Sequence, residues 1–366
     1  MKILLLSAYD AASHAYWRKG LVNSFPEYEW TELTLPARYF SWRLRGNSLS
    51  WAFNERAVLE QQYDLVIATS MTDLSALRGF VPALATTPTI VYFHENQFAY
   101  PESGREFSSV EPKILNIYTA LAADHICFNT EYNRQTFLEG CRKLLKKLPD
   151  QVPEGLPELI QQRSSVLPVP LPDTVFLPNQ NRSESLQLVW NHRWEFDKGP
   201  ELLLSAVQKL IESDVDFKLH IVGQQFRQTP KSFDQLQTLL GDRLGSWGYV
   251  ESVDEYRCLL QQSDVVLSTA LHDFQGIAVL EGVAAGCIPA VPDRLAYPEL
   301  FPAACCYDSN TQNSTDETDA LVQMLLSLSK KKARGELPAA PNMNALSWSS
   351  LKEQYRAHFL QLVSTQ

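Results

Sequence analysis

The stretch Leu186-Gln187-Leu188-Val189-Trp190-Asn191-His192-Arg193-Trp194-Glu195-Phe196-Asp197-Lys198-Gly199-Pro200 passes from a short apolar run, through a polar loop, into a helical pattern. Strand, loop and helix in that order form the repeating unit of a parallel sheet covered on both faces, whose strands read as near-continuous hydrophobic runs. Toward the C-terminus further runs of this kind lie at 217–222, 247–250, 265–269 and 288–291, with helical patterns over 200–213, 232–240, 253–262 and 277–285. Toward the N-terminus the alternation occupies 2–6, 64–69, 89–93, 125–129 and 165–169, with helices over 111–123 and 131–147. The predicted class is α/β, built as two similar halves.

Between the halves, Val166-Leu167-Pro168-Val169-Pro170-Leu171-Pro172-Asp173 is followed by a polar stretch at 178–185. Proline at this density reads as an extended, stiff connection, which places the boundary near 173–185. At roughly 150 residues per domain, 366 residues suit two domains, here 1–175 and 176–345. A last helix within 346–366 puts Leu351, Tyr355, Phe359 and Leu362 on one stripe, and the Lys330-Lys331-Lys332-Ala333-Arg334-Gly335 segment before it reads as a solvated loop. The expected architecture is two Rossmann-like domains facing a central cleft, with ligands beyond the carboxyl ends of the strands.

Composition narrows the function classes. With 32 Lys+Arg against 42 Asp+Glu the formal net charge is -10, which excludes tight, non-specific coating of nucleic acid but leaves room for a local basic face. The apolar run before Ser7 is only four residues long, Ile3 to Leu6, and no run of about 18 apolar residues occurs, so neither a signal peptide nor a membrane span is expected. The cysteines Cys127, Cys141, Cys258, Cys287, Cys305 and Cys306 form no CxxC pair and no zinc spacing, which suits a reduced cytoplasmic location.

Several chemistries lose their usual support, because GxGxxG, GxxxxGK[ST], GxSxG and HExxH motifs are all missing. The one DxD triplet, Asp214-Val215-Asp216, falls at a helix-to-strand turn away from the carboxyl ends and reads as a solvated turn. Arg193 and Lys198, by contrast, share the loop after the strand at 186–190, where both cations can meet one anionic group. After the strand at 265–269, Asp273 and Glu281 lie eight apart, and Gly276 opens a helix whose first amides, from Ile277 on, suit a diphosphate. Glu281 sits in an otherwise apolar stretch and needs a partner: an arginine or amides on a structural reading, ribose hydroxyls on a functional one.

Together these residues resemble the nucleotide-sugar half of a GT-B glycosyltransferase of the family-4 type, with Asp273 in place of the first Glu of its E-x7-E motif. In the first half, Tyr39-Phe40-Ser41-Trp42-Arg43-Leu44-Arg45-Gly46, Phe93-His94-Glu95-Asn96-Gln97-Phe98-Ala99-Tyr100-Pro101 and Phe128-Asn129-Thr130-Glu131-Tyr132-Asn133-Arg134 resemble the tRNA-queuosine mannosyltransferase family. The segment Lys146 to Asp150, with His192-Arg193-Trp194-Glu195 and Tyr297-Pro298-Glu299, extends the likeness over nearly the whole chain. One departure is Ala11-Ala12-Ser13-His14, where the family has a Gly-Gly-Ser-His loop.

The resemblance implies a GT-B fold with the C-terminal helix packing back on the N-terminal domain. It implies retaining transfer of mannose from GDP-mannose to the cyclopentene-diol of queuosine in a tRNA anticodon, with no metal or other cofactor. On that basis Arg193 and Lys198 stabilise charge on the departing GDP, with His94 as a neutral hydrogen-bond partner. Ser13, His14, Asp273, Gly276, Ile277 and Glu281 hold the donor. Glu95 and Asn96 are candidates for sugar or acceptor hydroxyls, and Trp42, Arg43 and Arg45 suit stacking on a splayed base and pairing with phosphate. Trp42 packed under an arginine-covered surface is the structural alternative, and the basic end at Arg142, Lys143, Lys146 and Lys147 equally complements a helix dipole. Two other functions stay open: a GT-B enzyme with another nucleotide-sugar and a lipid or small-molecule acceptor, and a non-catalytic GT-B-like binding module.

Overall fold

The computed structural model describes residues 1–100, 109–177, 180, 183–226, 228–310 and 312–364. Pro101 of the quoted motif, and parts of the 178–185 connection, lie outside them. The chain divides into two compact units, Met1–Pro170 with Trp348–Gln366, and Leu171–Ser347.

In the first unit the strands are β1 Lys2–Asp10, β2 Glu29–Pro36, β3 Leu65–Thr69, β4 Thr89–Phe93, β5 His125–Phe128 and β6 Ser164–Val166. They form one parallel sheet in the order β2-β1-β3-β4-β5-β6. The chain leaves β1 to one side for β2 and returns to the other for β3, so the switch point lies between β1 and β3. The central strands β3 and β4 are buried at every residue, which is why they read as continuous apolar runs.

The C-terminal helix Trp348–Ser364 completes this unit. Tyr355 Oη accepts from Trp17 Nε1 at 3.0 Å and donates to the Pro168 carbonyl at 2.9 Å. Trp348 lies over Gly20, where a Cβ would come within 2.7 Å of the indole, so only glycine lets the two helices approach this closely.

In the second unit β7 Leu186–Trp190, β8 Phe217–Val222, β9 Leu244–Gly248, β10 Val265–Leu267, β11 Ile288–Pro292 and β12 Cys306–Tyr307 pair in parallel as β12-β11-β10-β7-β8-β9. The order reverses between β7 and β10, whose carboxyl ends carry the two loops singled out above. Asp214 and Asp216 are exposed at the amino end of β8, with Asp214 in the left-handed region at φ 51°.

Two readings are corrected and one region is filled in. The expected solvated loop at 330–335 begins inside the helix Ser314–Ala333, and Lys332 Nζ donates to the buried Asp264 carboxylate at 2.5 Å. β9 starts at Leu244, not 247, and ends at Gly248, whose φ of 90° suits glycine and terminates the strand. The Tyr39–Gly46 motif lies in the helix Phe40–Asn54 after a Tyr39 turn, and β2 was not expected at all.

Candidate active site

The loops after β7 and β10 are locked together by a glycine. Gly199 adopts φ +64°, and a Cβ there would fall 2.1 Å from the Thr269 carbonyl oxygen. Thr269 Oγ1 donates to the Lys198 carbonyl at 2.7 Å and accepts from Trp190 Nε1 at 3.0 Å, tying both loops to the strand.

The buried Lys198 ammonium is thereby centred between the loops. It donates to the His272 carbonyl at 2.6 Å and stands 3.5 Å from Asp273 Oδ2 and 3.6 Å from Asp197 Oδ2. Arg193 is half-exposed, pairs with Glu195 at 2.7 Å and reaches within 3.8 Å of Asp197. Asp197, which the sequence did not single out, thus lies between the two cations. Burial pushes its pKa up, yet a hydrogen bond from His272 and the charges of Lys198 and Arg193 bring it down to about 2. Burial also raises Asp273, but Lys198 and neighbouring histidines outweigh it and hold the carboxyl below its ordinary value. His192 is buried beside these cations, and burial first, then Lys198, lowers its pKa to about 4, so it is neutral near pH 7.

Asp273 also builds the entrance to the next helix. Its Oδ1 accepts the Gly276 amide at 3.0 Å and its Oδ2 accepts Tyr297 Oη at 3.2 Å. Gly276 has φ +70°, and a Cβ would meet the Tyr297 ring at 2.8 Å. The amides that follow, from Ile277, belong to the first turn of the helix Ile277–Ala284 and have no intrahelical acceptor. Glu281 on this helix accepts Tyr256 Oη at 3.1 Å, and Asn191 Nδ2 in turn donates to Tyr256 Oη at 2.9 Å and to the Ala278 carbonyl at 2.7 Å. A tyrosine hydroxyl is thus one partner of that carboxylate. Tyr256 carried no local signal, whereas Asn191 and Tyr297 lie inside quoted segments in which neither was singled out as a site residue.

In the first unit His94 follows β4 and is buried against His14, Trp17 and Tyr92, with ring centroids 4.3, 4.8 and 4.6 Å away. Among the described residues neither ring nitrogen of His94 has a hydrogen-bond partner, and His14 Nε2 has none. Ser13 Oγ lies 3.5 Å from His14 Nδ1. Burial, reinforced by His14, holds His94 well below the ordinary histidine range, and burial lowers His14 against the opposing pull of Glu95 and Asp10. Both rings are therefore neutral near pH 7. The preceding loop contains no glycine, and the helix Ala12–Ser24 starts directly after Ala11.

Other sequence candidates are placed differently. Glu95 accepts from Tyr100 Oη at 3.3 Å. Asn96 is fully buried: Nδ2 donates to the Asn133 carbonyl and Thr136 Oγ1, and Oδ1 accepts the Phe98 and Ala99 amides. Its amide is spent on shaping the loop, which corrects the expectation that it presents a group to hydroxyls. Arg43 is buried with Nε on the Pro36 carbonyl at 3.4 Å, and Arg45 pairs with Asp73 at 3.0 Å and with Glu111. These arginines hold the helix Phe40–Asn54, so the expected pairing of both with phosphate meets committed groups. Trp42 is 53% exposed over Gly46, beside Tyr39, 71% exposed at φ 55° under the Arg38 guanidinium 5.6 Å from its ring.

Residues 2–171 match the family described as tRNA-queuosine alpha-mannosyltransferase N-terminal, and residues 176–334 match the glycosyl transferases group 1 family. A tRNA-queuosine alpha-mannosyltransferase of Drosophila melanogaster is 32% identical over 322 residues, covering 85% of this chain and 84% of its own. The chain belongs to the tRNA-queuosine alpha-mannosyltransferase family. Among solved structures it is similar to sucrose-phosphate synthase from Thermosynechococcus elongatus, with TM-score 0.72 and 13% identity over 100% of this chain and 99% of that one. Anabaena HepE in complex with UDP and glucose gives TM-score 0.68 at 12% identity, over 99% and 100%. These neighbours show the GT-B fold, and the group 1 match makes this member of the queuosine mannosyltransferase family a glycosyltransferase. Among the described residues no helix is long and apolar enough to cross a membrane.

Proposed function

We propose that the protein transfers mannose from GDP-mannose, with retention, to the cyclopentene-diol of queuosine in a tRNA anticodon, without a metal, in the cytoplasm. The observation that carries the reading is the Lys198 ammonium fixed by Gly199 at the switch point of the second sheet, with Arg193 on the same loop. Cleaving the bond between sugar and diphosphate builds negative charge on the departing GDP. Cations and first-turn amides already held in place stabilise that charge without reorganising as it forms. Lys198 and Arg193 are those cations, and Gly276 and Ile277 head the helix that supplies the amides.

The remaining roles follow from what each group can do. Glu281, oriented by Tyr256, accepts hydrogen bonds from ribose hydroxyls, and Asp273 orients the sugar. His94, neutral and with both nitrogens unpartnered, offers one donor and one acceptor to the sugar or the leaving phosphate. Ser13 and His14 adjoin it, and Glu95 serves a hydroxyl. The departing phosphate itself takes the acceptor proton, so no protein nucleophile is needed. The exposed faces of Tyr39 and Trp42 give an unpaired base two rings to stack on, with Arg38 beside them.

The test is incubation with GDP-mannose and queuosine-containing tRNA, followed by nucleoside mass analysis. Addition of one hexose to queuosine is expected. If no hexose appears with any common nucleotide-sugar, the reading is wrong.

A further inference from the structure

Away from the residues discussed so far, three metal-ligating side chains converge where the C-terminal helix crosses β5. His125 and Cys127 alternate on β5, so both project from the same face of the sheet. His358 comes from the helix Trp348–Ser364, more than two hundred residues later in the chain, and its ring stacks on that of His125 with centroids 4.8 Å apart. One ligand atom from each of the three residues lies within 4.8 Å of the others. Cys127 is fully buried, whereas both histidines are partly accessible, so the cluster has a dry floor and an open mouth.

We propose that His125, Cys127 and His358 bind a single Zn2+ ion that clips the C-terminal helix to the first sheet. Two imidazoles and a thiolate are a donor set that suits zinc, a borderline-soft ion with no geometric demand of its own beyond four ligands. At Zn–N of about 2.0 Å and Zn–S of about 2.3 Å, tetrahedral ligand atoms stand roughly 3.5 Å apart, so the cluster closes by side-chain shifts of about 1 Å. Ser165 Oγ, 2.8 Å from His125 Nε2 and 3.9 Å from Cys127 Sγ, marks the fourth position, which its hydroxyl or a water fills. On binding, two nitrogen–zinc bonds and one sulfur–zinc bond form, and the Cys127 thiol proton passes to solvent. No residue of this cluster belongs to the proposed glycosyl-transfer machinery, so the two readings stand or fall separately.

Cobalt(II) tests the proposal because a thiolate ligand gives it a near-ultraviolet charge-transfer band. Full-length protein without a histidine tag is titrated with Co2+ and then with Zn2+. One equivalent of Co2+ is expected to develop the band, and Zn2+ to displace it. Cys127→Ser abolishes the band. His358→Gln, at a partly exposed site that tolerates change, weakens binding by more than about tenfold, the loss that even an outer-shell partner can cause. Zn2+ raises the thermal midpoint of the wild type but not of His358→Gln. Absence of the band at excess Co2+, or an undiminished band in His358→Gln folded by circular dichroism, overturns the proposal and leaves a hydrogen-bonded cluster around Ser165.

Discussion

Arg193 and Lys198 look alike in the sequence, two cations in one loop, but the structure separates them. Lys198 is buried among Asp197, Asp273 and the His272 carbonyl, whereas Arg193 is half-exposed and rests on Glu195. Truncating a buried cation leaves its carboxylates uncompensated in a low dielectric, a loss of about 3 kcal/mol or more. Lys198→Ala is therefore expected to lower both turnover and stability. Arg193→Ala is expected to lower turnover by orders of magnitude while changing stability by less than about 1 kcal/mol, the worth of an exposed pair. Paired kcat measurements and urea unfolding check this. Equal stability losses in the two variants would mean that Lys198 is not the buried centre of the site.

At the scale of elements, the helix opened by Gly276 joins fold to chemistry. Gly276→Ala must hold alanine at φ +70° and move the Tyr297 ring, which bonds Asp273 and Ser268. A left-handed alanine costs about 1 kcal/mol before any displacement of Tyr297. The expected outcome is a lower thermal midpoint together with a raised KM for the nucleotide-sugar, and an unchanged KM would sever the helix start from donor binding. On the helix Phe40–Asn54, Trp42→Ala removes a largely exposed ring and so should leave stability nearly unchanged. Stacking of one base on an aromatic ring contributes about 1–3 kcal/mol, so tRNA affinity should fall roughly tenfold or more by filter binding, with donor hydrolysis unaffected. These two elements also show what the sequence made legible. β3, β4, β7 and the helix Ile277–Ala284 were readable because burial on both faces or a glycine start leaves a local imprint. β2 was not, since its mixture of exposed and half-buried residues lacks that imprint. The helix Phe40–Asn54 blurs the usual pattern, with Arg43 and Asn47 buried beside Leu44 and Trp51, and Trp42 and Phe53 exposed. Tyr256 and Tyr297 gain their roles from long-range partners, which spacing along the chain does not record, whereas Asp197 meets Arg193 and Lys198 within its own loop and His272 from another.

For the whole molecule, buried neutral histidines in both units make stability a function of pH. Burial lowers His14 and holds His94 well below its ordinary value in the first unit, and lowers His192 and His220 from 6.5 to about 4 in the second. In each case the unfolded chain takes up a proton near pH 6.5 that the native state refuses. The unfolded state therefore binds more protons below 6.5, and stability must fall as pH drops through that value toward about 4, where His192 and His220 begin to titrate in the folded protein. Asp197 acts in a separate, lower window. Its folded pKa of about 2 lies below the ordinary 3.8, so its contribution is intact above 3.8 and lost only as pH falls further toward 2. Urea midpoints should therefore be flat between about pH 7 and 8, decline steadily between about pH 6.5 and 4, and decline again below that. The carboxylate window alone would leave the midpoint unchanged down to about pH 4, so a profile flat between about pH 7 and 5 would show that these imidazoles are hydrated or paired in solution. His220→Asn discriminates further: His220 Nδ1 accepts the Ser246 amide at 2.9 Å, and its removal should make the upper decline shallower by one histidine's share while costing stability at neutral pH.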